Sequence, residues 1–167
     1  MASHFPPGPF PEVVIIDPNG DLILNHKRFI GKDGKVLDGV IFGRFRVSRQ
    51  ILCKNSAKFS KAWGEATQNS VDLAVSTSVD LYYCLASIGA CLRSLHESLN
   101  EASYRPDSLA VWEVLNFCQQ HEIVGESLQD WFRTILSRQI SAKKATPAPF
   151  DENDMRAMLT PCFVFYQ

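Results

Sequence analysis

Apolar residues in this chain fall in short runs whose spacing changes from strand-like to helix-like along its length. Val13, Val14, Ile15 and Ile16 are β-branched, which favours an extended segment. Asp17-Pro18-Asn19-Gly20-Asp21 separates them from a second apolar run, Leu22 to Leu24. Asn-Gly between two such runs is a strong hairpin signal, so the first strand is expected to turn back into the second. Asp33-Gly34 offers a further turn, and Val36 to Phe42 an extra strand pair or a mobile loop.

Phe45 and Val47 share one face of an extended segment, because side chains alternate along a strand. Ser48 is placed to cap a helix carrying Ile51 and Leu52. Asn55 and Ser56 interrupt it, and Ser56 is placed to cap a second helix whose apolar face holds Phe59, Ala62 and Trp63. Val71 to Val75 alternates as a short strand, and Ser76-Thr77-Ser78 supplies caps for the next helix. Leu81, Leu85, Ile88, Leu92, Leu95 and Leu99 then repeat at helical spacing, with a break possible before Leu99. That stripe is too short for a sustained coiled coil, and Tyr82, Tyr83 and Cys84 widen it, so a core helix is expected.

Pro106 with Asp107 or Ser108 starts another helix, lined by Leu109, Val111, Trp112, Val114, Leu115 and Cys118 and ended by His121 and Glu122. Gly125 separates it from a last helix with Leu128, Trp131, Phe132, Ile135 and Leu136. Residues 1–11 read as a flexible proline-rich arm, 12–138 as one folded domain, and 139–167 as a polar linker ending in an apolar tail. The tail is expected to dock on the body as a short element.

A hydrophobic fraction of 46% and a charged fraction of 21% are those of a globular chain with a proper core. A net charge of −1 provides no global field for nucleic acid. The apolar runs are far below the ~20 residues that span a bilayer, and the proline-rich start lacks the features of a secretory signal. The expected setting is cytoplasmic or nuclear. The five cysteines are odd in number and lie among apolar positions, which suits buried thiols better than a disulfide framework or a zinc site.

Nucleotide-binding, zincin and hydrolase motifs are missing from the sequence, and no catalytic, cofactor or metal residue is assigned. His26 falls at a strand end, and His96-Glu97 and His121-Glu122 offer local surface pairs. Cys118 and His121, three apart on one helix, are positioned for a nucleophilic or ligand-binding pair, although no oxyanion donor or orienting carboxylate accompanies them. Arg44, Arg46, Arg49, Lys54, Lys58 and Lys61 crowd segment 44–61. They suit weak phosphate contact, the solvated face of amphipathic elements, or an acidic patch on a protein partner. Alternation with core positions favours the solvated face.

The order Phe45-x-Val47-Ser48-x-x-Ile51-Leu52-x-x-x-Ser56-x-x-Phe59-x-x-x-Trp63 resembles the signature of the BTB/POZ domain, a protein–protein interaction module. Ser48 stands where many members have His, so the resemblance is greatest to the short BTB-like proteins of filamentous fungi. That group typically opens with a strand, D-P-x-G-D and a second strand, as residues 13–24 do; residues 25–44 exceed its usual length. Leu128 and Trp131 match a Leu and Trp three apart in a late helix of the family, with His121 near its A-D-K-Y tyrosine. The match is tight over 45–63 and extends over 13–136 as an order of elements.

The resemblance implies an α+β fold: a small mixed sheet from 13–24, 45–47 and 71–75, flanked by about five helices. It implies protein partners, homodimerisation and, in many members, engagement of the cullin scaffold of ubiquitin ligases through a hydrophobic-x-Glu triplet. Leu95-His96-Glu97 and Leu99-Asn100-Glu101 lie in about that region. The proline-rich arm stands where familiar dimers carry an N-terminal helix, and proline disfavours a helix interior.

Overall fold

The computed structural model describes residues 12–28, 40–75, 81–100, 103, 108–144, 158, 161–162 and 164–165. They form a mixed α+β fold. The strands are β1 (Val13–Ile15), β2 (Leu22–Arg28), β3 (Val40–Val47) and β4 (Ser70–Val75). The helices are α1 (Arg49–Asn55), α2 (Ala57–Trp63), α3 (Leu81–Leu95), α4 (Ser108–His121) and α5 (Gln129–Lys144), the last entered through a 3-10 turn at Gly125–Leu128.

The sheet order is β1-β3-β2-β4. β2 is antiparallel to β3, while β1–β3 and β2–β4 are parallel. The hairpin expected at Asn19-Gly20 is therefore not formed: β3 lies between β1 and β2. Ile16 and Asp17 both donate their N–H to the Arg46 carbonyl, which holds the end of β1 on β3. A turn comes next, with the Asp17 carboxylate accepting from Asn19 N and its carbonyl from Gly20 N. The chain then reaches the other edge of β3. The sheet is also longer than expected, since β2 continues to Arg28 and β3 begins at Val40. Of the segment from Val36 to Phe42, residues 36–39 lie outside the described residues, as do Ser76, Thr77 and Ser78.

Register fixes the faces. Leu22, Leu24 and His26 oppose Val47, Phe45 and Gly43, while Leu24 and His26 also pair with Val71 and Leu73. All eight are buried, forming the sheet's share of the core. His26 is thus within the strand and inside the protein, not at a strand end. Gly43 lets α3 come close: a Cβ there would lie 2.3 Å from Leu85 Cδ2.

Helix burial follows the apolar spacing in most places. Leu52 and Phe59 are fully buried, but Ala62 is exposed, so the inner face of α2 is narrower than its sequence implies. On α3, Ile88, Ala90, Cys91, Leu92 and Leu95 are buried, a face too broad for a coiled-coil seam. Leu99 lies beyond its end. α5 runs to Lys144, so residues 139–144 are helical rather than linker. Of the tail, Met158 and Phe165 are buried, which puts its described part on the body.

Candidate functional site

Residues 45–63 form one unit whose two serines act alike locally and differently in the fold. Ser48 Oγ accepts from Ile51 N at 3.4 Å, starting α1. Ser56 Oγ accepts from Phe59 N at 2.9 Å, starting α2, and also donates to the His121 carbonyl at 2.5 Å. Ser56 is only 1% exposed. Its backbone forms an isolated antiparallel bridge with Ile123, and the Asn55 carbonyl accepts from Val124 N. Asn55 Oδ1 accepts from Ser127 Oγ at 2.6 Å while its amide nitrogen donates to the Ile51 carbonyl. The break between α1 and α2 is therefore a polar seam against the end of α4.

That seam also satisfies the end of α4. The last carbonyls of a helix lack intrahelical partners and carry partial negative charge. Here Lys58 Nζ donates to the Gln120 carbonyl at 2.6 Å, beside the Ser56 bond to His121. Glu122 takes a left-handed conformation (φ 52°), and Ile123 N reaches back to the Cys118 carbonyl. α3 ends in the same way: Glu97 has φ 51°, and Ser98 N donates to the Arg93 carbonyl. Both His-Glu sequences are thus helix-ending turns. Neither is the surface pair expected of it.

The two histidines have separate environments. His121 is buried, its ring 4.9 Å from that of Phe59 and 4.6 Å from that of Phe117. Burial, with the nearby Lys58 charge, lowers its pKa to about 4. His96 Nδ1 bonds to the Leu92 carbonyl at 2.7 Å, and Nε2 accepts from Ser48 N at 3.0 Å. This pair of contacts fits a neutral ring protonated at Nδ1. Burial pulls its pKa below the usual value. His96 ties the end of α3 to the start of α1, a role that no local sequence pattern reveals.

Cys118 and His121 each have other neighbours, the Cys91 thiol for one and the Phe59 and Phe117 rings for the other. Cys118 Sγ lies 3.9 Å from Cys91 Sγ, both residues buried between α3 and α4. The Cys91 thiol is pushed well above its ordinary pKa by its contact with Cys118 and by burial. Burial also raises the half-buried Cys53 and Cys162 thiols. A thiol kept protonated is a poor nucleophile. Nothing is described of the Cys84 side chain.

The basic segment is divided among three places. Arg44 and Arg46 alternate with Phe45 and so project from the sheet face opposite the core. Arg49 is half-buried and donates to the carbonyls of Trp63, Ala66 and Gln68, with the Asp21 carboxylate 3.5 Å from its Nε. This staples the loop between α2 and β4. Lys54, Lys58 and Lys61 are exposed on α1 and α2. Across the sheet's outer face, Asn25 donates to Ser70 and Asp72, and Lys27 pairs with Asp72 at 2.5 Å.

In the hydrophobic-x-Glu triplets, Leu95 is buried in the core and His96 is bonded internally, leaving Glu97 exposed. Leu99 is half-buried and Asn100 exposed, while Glu101 lies outside the described residues. Among the described residues, the exposed large apolar ones are Val14, Ile15 and Val124, the first two on the edge strand β1. Among the described residues, no helix is long and apolar enough to cross a membrane. No family model, curated protein or solved structure matches the chain.

Proposed function

We propose that this chain is a non-catalytic protein–protein interaction module of the BTB/POZ type, acting in the cytoplasm or nucleus. The observation that carries the proposal is the seating of residues 45–63. Phe45, Val47, Leu52 and Phe59 are all buried, and both serines of the motif cap the helices that begin just after them. Ser56 is held at the end of α4, as befits a residue whose place in the motif is structural. The mixed sheet and five helices accord with the coarse architecture such a module needs.

Partner binding by such a module rests on a few apolar anchors rimmed with charge. Ile15 on the edge strand β1, 45% exposed and in register with the exposed Arg46 of β3, offers one such apolar residue beside a charge. The pair of unlinked thiols 3.9 Å apart in the core suits a reducing compartment.

Size-exclusion chromatography with light scattering tests the proposal, with the chain alone and with the N-terminal region of a cullin. A mass of two chains that rises further with the cullin is the result expected of a dimeric adaptor. A mass of one chain, unchanged by the cullin, removes both the homodimer and the adaptor. It would leave only a stand-alone binding module.

A further inference from the structure

Strand register lays two rows of side chains across the sheet face that points away from the core. Ile15, Arg46, Ile23 and Ser70 form one row, and Val13, Arg44, Asn25 and Asp72 the other, each with one residue from every strand. Side chains in register on neighbouring strands share a face, and this one is opposite to that of the buried Phe45 and Leu24. Ile15 is 45% exposed; Arg46, Ser70 and Asp72 are exposed, and Val13, Ile23 and Arg44 are half-buried. With strands about 4.8 Å apart, each row is about 14 Å long, and a two-residue step sets the rows about 7 Å apart.

Charge and hydrogen bonding on this face are both unbalanced. Lys27 pairs with Asp72, which also accepts from the Asn25 amide. Arg44 and Arg46 pair with no carboxylate among the described residues, and Arg46 Nε donates to the Gly20 carbonyl. Three cations therefore stand against one carboxylate. Two polar atoms of facing residues, Asn25 Oδ1 and Arg44 Nε, are buried without a hydrogen-bond partner. Asn25 is 8% exposed, and its nitrogen donates toward β4, to Ser70 and Asp72, which turns its oxygen back toward β3 and Arg44. Buried polar atoms are ordinarily bonded, so an orphaned acceptor beside an orphaned donor calls for a partner with the complementary pair.

We infer that this face docks an acidic segment of a partner protein, one that carries apolar side chains between its carboxylates. A carboxylate takes the Nε–H and one Nη–H of a guanidinium side-on, which satisfies Arg44 Nε. A peptide N–H supplies the donor that the Asn25 oxygen needs. Arg44 has only to turn its own side chain on the open face, and the core stays closed. A second carboxylate meets the Arg46 guanidinium, while Val13, Ile15 and Ile23 receive the apolar side chains. Other occupants fit this face less well. A phosphodiester backbone offers acceptors but no donor and meets the Asp72 carboxylate, and the two rows hold no aromatic residue to stack on a base. A second copy of the same face would set its excess positive charge against itself. The inference deepens the proposed function and rests on its claim of a protein partner.

The test selects random peptides displayed on phage against the immobilised full chain at low salt, then measures the enriched peptide by fluorescence anisotropy. Enrichment in Asp and Glu interspersed with Leu, Ile or Val is expected, with affinity that falls as salt rises. Arg44→Glu should weaken that peptide by about tenfold or more, and Ile15→Ser by about threefold to tenfold. The same peptide with its acids changed to Lys should bind Arg44→Glu better than the parent chain. Circular dichroism checks the folding of both variants, and the surface change Ile15→Ser carries the test if Arg44→Glu does not fold. Selected peptides without acidic enrichment, or an acidic peptide whose affinity neither variant changes, would overturn the inference. Two other outcomes would also overturn it: retention on single-stranded DNA that Arg44→Glu abolishes gives the face to nucleic acid, and a dimeric mass that Ile15→Ser halves gives it to a second copy. A monomer that ignores the cullin can still pass this test, and a dimer that takes the cullin can still fail it, so the two readings fail separately.

Discussion

Replacing Ser56 with Ala removes one hydroxyl from two structures at once. Its oxygen accepts from Phe59 N at 2.9 Å and donates to the His121 carbonyl at 2.5 Å, at a position 1% exposed to solvent. Loss of a serine N-cap costs about 1 kcal/mol. Leaving a buried carbonyl without its donor adds about 1–3 kcal/mol, since water cannot take the donor's place. Ser56→Ala should therefore lose about 2–4 kcal/mol, a large part of the roughly 5–15 kcal/mol that holds a domain together. Ser48→Ala is the matched control. Ser48 is half-buried, its cap contact is 3.4 Å, and its bond to His96 is through the backbone and survives. It should cost about 0.5–1 kcal/mol. Urea unfolding followed by tryptophan fluorescence gives both values. Amide exchange should accelerate in Ser56→Ala at α2 and also at residues 119–124, because the hydroxyl joins them. Equal costs for the two variants, or faster exchange confined to α2, would refute the assignment of Ser56 as a link between elements.

Two glycines should respond in opposite directions to alanine. A Cβ at Gly20 would lie 2.5 Å from the Val47 carbonyl oxygen and 2.9 Å from its nitrogen, so Gly20→Ala should destabilise by about 1–3 kcal/mol in urea unfolding. At Gly89, inside α3, the nearest described atom would be Phe45 Cε1 at 3.6 Å, and Gly89→Ala should stabilise by about 0.5–1 kcal/mol. With the His26 and His121 pKa values lowered to about 4, these two rings take up protons between pH 6.5 and 4 only when the chain is unfolded. Stability is therefore lost as pH falls through that window, by up to about 3 kcal/mol per imidazole, with the raised Glu113 carboxyl acting in the opposite sense. NMR titration of the His121 ring should show no midpoint near 6.5; such a midpoint would refute its burial. Iodoacetamide should label Cys53 and Cys162 under native conditions and spare Cys91 and Cys118 until the chain unfolds. Rapid labelling of Cys118 would favour the Cys118–His121 nucleophile over the non-catalytic reading.

Much of the candidate site was legible because its determinants are local. A serine one position before an apolar helical pattern caps that helix whatever surrounds it, and both Ser48 and Ser56 do so. The second bond of Ser56, to a residue 65 positions away, was not legible, because nothing near Ser56 encodes the end of α4. The same limit hid His96, whose partner Ser48 is 48 positions distant. His-Glu read as a surface pair because polar neighbours suggest exposure; in fact each Glu supplies the left-handed residue that ends a helix. At α5, polarity after Arg138 suggested a linker. Polarity does not stop a helix, however, and the next strong breaker in the sequence is Pro147.

The chain's own pattern determined the class of the fold, the strand-helix-helix unit at 45–63 and most of the residues that face inward. Those properties arise from side-chain periodicity and capping within a few residues. Tertiary structure decided the order of the strands, placing β3 between β1 and β2 despite an Asn-Gly turn that suits a hairpin. It also decided that Cys118 meets Cys91, that His121 packs on Phe59 and Phe117, and that Phe165 closes over Trp131 and Phe132. Each of these is a choice among distant partners of similar chemistry. Such choices are settled by which arrangement buries the most apolar surface while keeping buried polar groups bonded, a property of the whole chain.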